Sequence, residues 1–298
     1  MSLGASTPRG EPLGSGSFGT VFRLKDLPIA RKYIPLPRSG DGLPPEAIRE
    51  IACLQRLRKY APSARNNCIE ILYIQISRTD IMIDMELMTG GTLGELLDNS
   101  QLGPALALSY SVQILRGLRF FHDIGIAHRD LKPNNILISS SNSLKIADFG
   151  LSHVMSGCEP RTPLVCTLYY RPPELLRANA FLKEARSLAY TCAIDNWSAG
   201  CILREMIIGQ GPEFRPARTI YSSTTSPIEQ LDAIIKRFYL SSGFINEKLA
   251  ISFCDSALKL PEITVSPLSP VWLLLMPNPE VRCTAEAALK VLERLKPT

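Results

Sequence analysis

The sequence predicts an α+β protein of two unequal lobes, and three observations carry that prediction. Strand-like patterns fill the first 90 residues around a single helix. Helical patterns dominate the rest. Between them Gly90-Gly91 interrupts both periods and marks a boundary near Met88–Thr92. The 298 residues suit two cores at roughly 100–200 residues each.

The elements follow in order. Leu13 to Leu24 reads as a strand, a glycine turn and a strand, and Ile29 to Ile34 as a short strand. Pro44 and Pro45 open a helix running from Glu46 to Lys59, because the first turn tolerates proline. Ile69 to Ile76 and Ile81 to Leu87 form a strand pair joined by Ser77-Arg78-Thr79-Asp80. Ser109 to Asp123 is amphipathic. Tyr190 to Ile208 carries only Asp195, Arg204 and Glu205 as charges and reads as a helix buried nearly all round. Pro227 to Tyr239 and Thr284 to Leu295 are further helices.

Composition narrows the function. With 45% hydrophobic and 20% charged residues, the chain is no disordered tail, coiled coil or fibre. The 19 Gly and 23 Pro show no period and act as loop punctuation. The net charge of +5 is spread along the chain, densest at Arg56–Lys59, so no nucleic-acid partner is expected. The longest uncharged stretches, Asn99–Leu115 and Ile263–Pro279, are broken by Pro and polar residues. They fall short of the ~20 apolar residues that cross a bilayer, so no membrane association is expected. The start, MSLGASTPRG, lacks the apolar core of a signal peptide. Eight Cys with no CxxC pair point to reduced thiols in a cytoplasmic or nuclear protein.

Four constellations carry chemistry. Leu13-Gly14-Ser15-Gly16-Ser17-Phe18-Gly19-Thr20-Val21 lets a backbone turn tightly against phosphate oxygens. It runs on into a strand, which favours a hairpin over a dinucleotide-binding turn; alone, it also fits a plain glycine hairpin. In Ile29-Ala30-Arg31-Lys32, Ala30 and Lys32 face the same way, a small apolar surface beside a phosphate partner. Glu50 shares the apolar face of its helix with Ala47, Leu54 and Leu57, so it needs a cation, for which Lys32 is the simplest candidate. His128-Arg129-Asp130-Leu131-Lys132-Pro133-Asn134-Asn135, followed by Asp148-Phe149-Gly150, supplies a carboxylate for a hydroxyl, a cation for a moving phosphoryl group and oxygen ligands for Mg²⁺.

In this order the motifs resemble the eukaryotic protein-kinase signature set over nearly the whole chain. Arg171-Pro172-Pro173-Glu174 resembles the close of the activation loop, and Asp195-Asn196-Trp197-Ser198-Ala199-Gly200 the buried helix beneath the catalytic loop. Asn278-Pro279 with Arg282 resembles the late motif whose arginine pairs with that loop's glutamate, here Glu174. Pro44-Pro45-Glu46-Ala47-Ile48-Arg49-Glu50, Thr167-Leu168-Tyr169-Tyr170-Arg171 and Pro227-Ile228-Glu229-Gln230-Leu231 are similar to segments of the cyclin-dependent kinases.

The resemblance implies one kinase domain over residues 1–298 with the bilobal protein-kinase fold. A small antiparallel β-sheet lobe with one helix would occupy about 10–88, and a mostly helical lobe about 89–296. It implies that Gly14, Gly16 and Gly19 cover the ATP phosphates beside Leu13, while Val21, Ala30 and Leu137 sandwich adenine. Met85 would stand behind adenine, and the backbone of Glu86 and Met88 would bind its edge. Lys32, positioned by Glu50, would hold the α- and β-phosphates. Asp130 would orient a Ser or Thr hydroxyl, Lys132 neutralise the γ-phosphate, and Asn135 and Asp148 ligate Mg²⁺. Leu54, Ile71, His128 and Phe149 would stack between the lobes.

Thr162 falls where the family carries its activating phosphate, with Arg49 and Arg129 as two of its three cations and His153 in the third place. Thr167 and Arg171 match a proline-accepting substrate pocket, and Phe18 stands at the inhibitory tyrosine position. The expected partners are a protein substrate and a cyclin or other activating subunit, in a monomer or heterodimer. With no room in these residues for a further docking domain, specificity is expected from the kinase surface or a partner chain. Four features depart from the group: Met88-Thr89-Gly90-Gly91-Thr92-Leu93 looks more like kinases acting on other kinases, the hairpin before Lys32 is short, Leu175–Ala193 is long, and Asp84 has no legible partner. A binding module keeping only the fold would usually lose Lys32, Asp130 or Asp148, and all three are present.

Overall fold

The structure, a computed structural model, describes residues 9–16, 19–36, 45–60, 67–77, 79–99, 102–155, 165–181, 190–208, 226–239, 254 and 269–294. Ser17, Phe18, Pro44 and Thr162 lie outside them, as do residues 182–189 of the long connection.

Five antiparallel strands form the first lobe: β1 (Arg9–Gly16), β2 (Gly19–Leu24), β3 (Ile29–Pro35), β4 (Ile71–Ile76) and β5 (Asp80–Glu86), in the order β1-β2-β3-β5-β4. The helix α1 (Pro45–Tyr60) buries Ala47, Cys53, Leu54 and Leu57 in one core with Ile71, Ile81 and Ile83. Spacings of three and four residues make that stripe, as an amphipathic helix on a sheet requires.

Strand pairing corrects the reading of Asp84. Arg31 on β3 stands directly opposite Asp84 on β5. Its guanidinium grips the carboxylate at two points, Nε–Oδ1 at 2.5 Å and Nη2–Oδ2 at 2.8 Å. Both residues are buried. Asp84 draws the Arg31 pKa above its ordinary value, against burial. A bidentate pair of this kind is what a buried carboxylate requires.

The second lobe is mostly helical. It comprises α2 (Leu93–Asn99), α3 (Pro104–Asp123), α4 (Pro173–Phe181), α5 (Ala193–Ile208), α6 (Pro227–Tyr239), α7 (Ser269–Leu274) and α8 (Ala285–Glu293). Two small ribbons pair β6 (Ile126–Ala127) with β9 (His153–Val154) and β7 (Ile136–Ile138) with β8 (Leu144–Ile146). α3 starts at Pro104 rather than Ser109, since Pro in the first turn lacks only an N–H that no helix would use. α5 starts at Ala193, whose N–H is taken by Thr191 Oγ1 at 3.2 Å, and this frees Tyr190 for another role. Thr284 caps α8 by accepting the Ala287 N–H at 3.2 Å. No helix among the described residues is long and apolar enough to cross a membrane.

One continuous core runs through both lobes. Gly90 and Gly91 tie the crossing to β7, with Gly90 N–H donating to the Ile138 carbonyl at 2.8 Å and Ile138 N–H to the Gly91 carbonyl at 2.9 Å. A Cβ on Gly90 would meet that carbonyl at 2.7 Å, so the approach requires glycine.

Candidate active site

The cleft between the lobes collects the predicted residues. Gly14 and Gly16 lie on β1 opposite Val21 and Gly19, and Leu13 beside them is exposed. Gly19 has φ +140°, and a Cβ there would collide with the Tyr33 carbonyl. Pairing sets Val21 opposite Lys32 and Ala30 opposite Met85. Met85, Met88 and Leu137 pack half-buried against the shared core and leave apolar surface beside the crossing. Glu86 spends its N–H on the Glu70 carbonyl at 3.1 Å.

The Glu86 side chain holds something the sequence reading missed. It accepts the Glu70 N–H at 2.8 Å and meets buried Lys145 of β8 at 3.0 Å, an ion pair spanning the two lobes.

Below it, Lys32 Nζ lies 2.7 Å from Glu50 Oε1 and 3.2 Å from Asp148 Oδ1. Burial opposes the ammonium charge, but the two carboxylates outweigh it and raise the Lys32 pKa. Partial burial pushes the Asp148 carboxyl up, although its side chain keeps an exposed edge, and Lys32 outweighs that and holds it below the ordinary carboxylate range. Phe149 is buried with ring centroids 5.5 Å from both His128 and Phe121. Of the four residues expected to stack between the lobes, His128 and Phe149 meet ring to ring, and Leu54 and Ile71 are buried in the core that also holds Phe149.

Asp130 is the most heavily bonded carboxylate of the cleft. Oδ1 accepts Thr167 Oγ1–H at 2.7 Å and Thr167 N–H at 2.9 Å. Oδ2 accepts Lys132 Nζ at 2.8 Å and Asn135 Nδ2 at 3.2 Å. Asn135 Nδ2 also donates to the Asp130 carbonyl at 2.9 Å, so the amide oxygen of Asn135 remains as a donor of electron pairs. Thr167, expected only in a substrate pocket, thus also orients the central carboxylate.

The loop is braced from beneath. Buried Asp195 accepts Arg129 N–H on Oδ1 and His128 N–H on Oδ2, each at 2.8 Å, and His122 Nε2 lies 3.1 Å from Oδ2. These amides hold Arg129 at φ +65°, a left-handed conformation unusual for a side-chain-bearing residue. Burial pushes the Asp195 carboxyl up, but His122, the nearby His128 ring and the Arg129 N–H hold it below its ordinary value. A lowered folded pKa contributes stability above the unfolded value of about 3.9, and the contribution disappears as pH falls through the folded value. Asp195→Asn is therefore expected to cost about 1–3 kcal/mol at pH 7 and to flatten the loss of stability below pH ~4. Urea midpoints of both proteins from pH 7 to pH 3 check this.

Of the three expected phosphate cations, Arg129 donates Nε–H to the Leu151 carbonyl at 2.6 Å and Nη1–H to the Tyr190 hydroxyl at 2.9 Å. Arg49 is half-buried on α1, and His153 stands opposite Ala127 in the β6–β9 ribbon. Burial pushes the Cys53 thiol up to about 12, with Arg129, Arg56 and Arg49 all pulling it back.

Arg171 is fixed by main-chain oxygens. Nε–H reaches the carbonyls of Val165 at 3.0 Å and Cys166 at 3.2 Å, Nη2–H that of Cys166 at 2.8 Å, and Nη1–H Asn179 Oδ1 at 3.0 Å. Cys166 has φ +64° and donates its N–H to the Arg129 carbonyl at 2.8 Å. Arg282 grips Glu174 through two bonds of 2.8 Å and stacks over Trp197 at 5.3 Å, as expected for that pair.

Comparison with known proteins agrees with this geometry. The family model described as a protein kinase domain matches residues 8–291. The CTD kinase subunit alpha of Schizosaccharomyces pombe is 36% identical over 209 residues, covering 67% of this chain and 32% of that protein. The mitogen-activated protein kinase mpkC of Neosartorya fischeri is 40% identical over 205 residues, covering 67% and 50%. Cyclin-dependent kinase 4 of Rattus norvegicus is 35% identical over 218 residues, covering 67% and 68%. The first two matches thus span a third to a half of those relatives' lengths. A solved structure of the CAK complex from Chaetomium thermophilum, bound to ATP-gamma-S, superposes with a TM-score of 0.70 at 26% identity, covering 95% of this chain and 88% of that one.

Proposed function

The chain belongs to the protein kinase family, and from that premise we propose that it is an ATP- and Mg²⁺-dependent serine/threonine kinase of cyclin-dependent-kinase-like type, directed to Ser/Thr-Pro sites. The observation that carries the reading is the Asp130 carboxylate, held by Thr167, Lys132 and Asn135 beside the Lys32–Glu50–Asp148 group.

Transfer forms a bond from the substrate hydroxyl oxygen to the γ-phosphorus and breaks the bond to the β–γ bridging oxygen. The hydroxyl proton passes to Asp130. Lys132 is free to shift its ammonium from Asp130 to the moving phosphoryl group, and Lys32 holds the non-transferred phosphates. The Mg²⁺ fit rests on donor chemistry. Asp148 is 41% exposed in its side chain and Asn135 keeps an amide oxygen, both hard ligands. No three His, Cys, Asp or Glu side chains converge among the described residues, which suits an ion completed by substrate phosphates. When bound, Mg²⁺ would neutralise charge on the β- and γ-oxygens.

Proline direction rests on Cys166. Its carbonyl is bonded to Arg171 and so is not offered to a substrate N–H. A peptide N–H desolvated there without a partner costs about 1–3 kcal/mol. Proline has none to lose. The expected ratio of kcat/KM for Ser-Pro over Ser-Ala peptides is about 10- to 100-fold. Arg171→Ala is expected to narrow it about tenfold. Equal rates for both peptides with the unaltered chain would remove the proline-directed part of the reading.

The reading carries a cyclin or similar activating subunit as partner, in a monomer or heterodimer. Ile48 of α1, 52% exposed within the Pro45–Glu50 motif, supports it as an open apolar contact. A rate increase on adding a cyclin tests this. We also propose a cytoplasmic or nuclear setting, in keeping with buried thiols such as Cys53 and Cys68, which burial pushes up to about 12.

A further inference from the structure

α1 is held at two points on different flanks. In its second turn Glu50 meets Lys32 at 2.7 Å. Further on, Arg56 donates its Nε–H to the main-chain carbonyl of Ile124, which belongs to the other lobe. Six residues of helix separate the two contacts by about 9 Å along the axis and about 240° around it. A helix pinned at one point can swivel. Pinned at two points on different flanks, it cannot turn without breaking one of them.

The acceptor suits the donor. Ile124 follows the last turn of α3 with φ −91° and ψ 11°, and Gly125 at φ +71° turns the chain away. Carbonyls at a helix C-terminus lack intrahelical partners and carry the negative end of the helix dipole, so a guanidinium is favoured there. On its other side the Arg56 guanidinium lies 5.6 Å from the Tyr60 ring centroid, one turn further along α1. Cys53 and Leu57, on neighbouring turns, are fully buried.

Ile124 is also close in the chain to the chemistry. Gly125 accepts the Met155 N–H at 2.8 Å, Ile126 and Ala127 form β6, and His128 follows. Arg56 therefore grips the junction from which the loop carrying Asp130 departs. One side chain ties the helix that positions Lys32 to the strand that positions Asp130.

We propose that Arg56 is a positioning residue for phosphoryl transfer: it locks α1 onto the second lobe, so that the Lys32–Glu50 pair is assembled by the chain's own contacts. An activating subunit would then raise this activity rather than create it. The proposal rests on the kinase reading above.

The test uses the full chain as wild type, Arg56→Ala, Arg56→Lys, Glu50→Gln and the Arg56→Ala/Glu50→Gln double variant. Two quantities are measured: kcat for a Ser-Pro peptide with ATP and Mg²⁺, and amide hydrogen exchange across residues 45–60. Arg56→Ala is expected to lower kcat about tenfold and to speed exchange in α1 about as much, with α3 and α5 keeping their protection. Arg56→Lys should retain most of the rate. In the Glu50→Gln background Arg56→Ala should cost nothing further, because it acts through Glu50. An unchanged kcat, unchanged exchange in α1, or losses that multiply in full would overturn the proposal. If Arg56→Ala does not fold, Arg56→Gln replaces it. If the wild-type chain transfers no phosphate at all, the kinase reading fails, and the exchange measurement alone decides the tether.

Discussion

Asp130→Asn is expected to lower kcat about 10²- to 10⁴-fold while leaving nucleotide affinity and folding nearly unchanged. The substitution keeps the shape of the side chain. Its remaining oxygen can still accept the Thr167 N–H and hydroxyl, which now meet Oδ1 at 2.9 and 2.7 Å. What disappears is the base that receives the hydroxyl proton and the negative charge paired with Lys132 at 2.8 Å. Single-turnover transfer to a Ser-Pro peptide, with nucleotide binding and a melting curve on the same preparations, separates these effects. A variant that transfers phosphate within about threefold of wild type would show that Asp130 is not the base. Equal loss of binding and rate would mean that it holds the nucleotide instead.

Asp84→Ala is expected to cost about 3–5 kcal/mol of stability. It would leave the Arg31 guanidinium buried opposite an empty position on β5, with neither of its two bonds to the carboxylate. The loss comes from the stranded charge rather than from the worth of the pair. The double variant Arg31→Met/Asp84→Leu should therefore recover most of it, since apolar replacement of a buried ion pair is often neutral or stabilising. Urea unfolding of the three proteins at pH 7 gives the comparison. An Asp84→Ala protein within about 1 kcal/mol of wild type would mean that water reaches Arg31.

Asp130 and the Arg31–Asp84 pair differ in how far the sequence reveals them. The chemistry of Asp130, Lys132, Asn135 and Asp148 is legible because one loop and one short turn carry all four residues, and the residue types themselves are what the reaction needs. Lys32 and Glu50 are half legible: the apolar stripe of α1 points Glu50 inward, and a buried carboxylate must then find a cation. Arg31–Asp84 is illegible for the opposite reason. The two residues lie 53 positions apart, and only the register of β3 on β5 brings them opposite. Cys166 gives no warning either, since cysteine has no preference for the left-handed conformation that turns its carbonyl to Arg171. The Arg56 contact ends on a main-chain carbonyl, which has no residue type to recognise. Tyr190 escapes because it falls just before the start of α5, at Ala193, where a periodic pattern still counts it as helix.

Several of these illegible contacts serve the legible ones. The register of β3 on β5 that pairs Arg31 with Asp84 also aligns Ala30 with Met85 and Lys32 with Ile83, on the wall of the cleft. Tyr190 holds the same Arg129 whose carbonyl takes the Cys166 N–H, so the loop carrying Asp130 and the segment held by Arg171 share one anchor. Catalytic residue types are thus written locally, while their relative placement is set by pairings between distant strands and helices.

On the proposed function, this chain assembles a complete phosphoryl-transfer site by its own contacts. The most direct measurement is a single turnover with enzyme in excess over ATP labelled at the γ-phosphate, with Mg²⁺ and a Ser-Pro peptide. Label is expected on the peptide serine with the unaltered chain, and is expected to be lost with Asp130→Asn although the nucleotide still binds. Nucleotide bound with no label transferred, with or without an added cyclin, would contradict it.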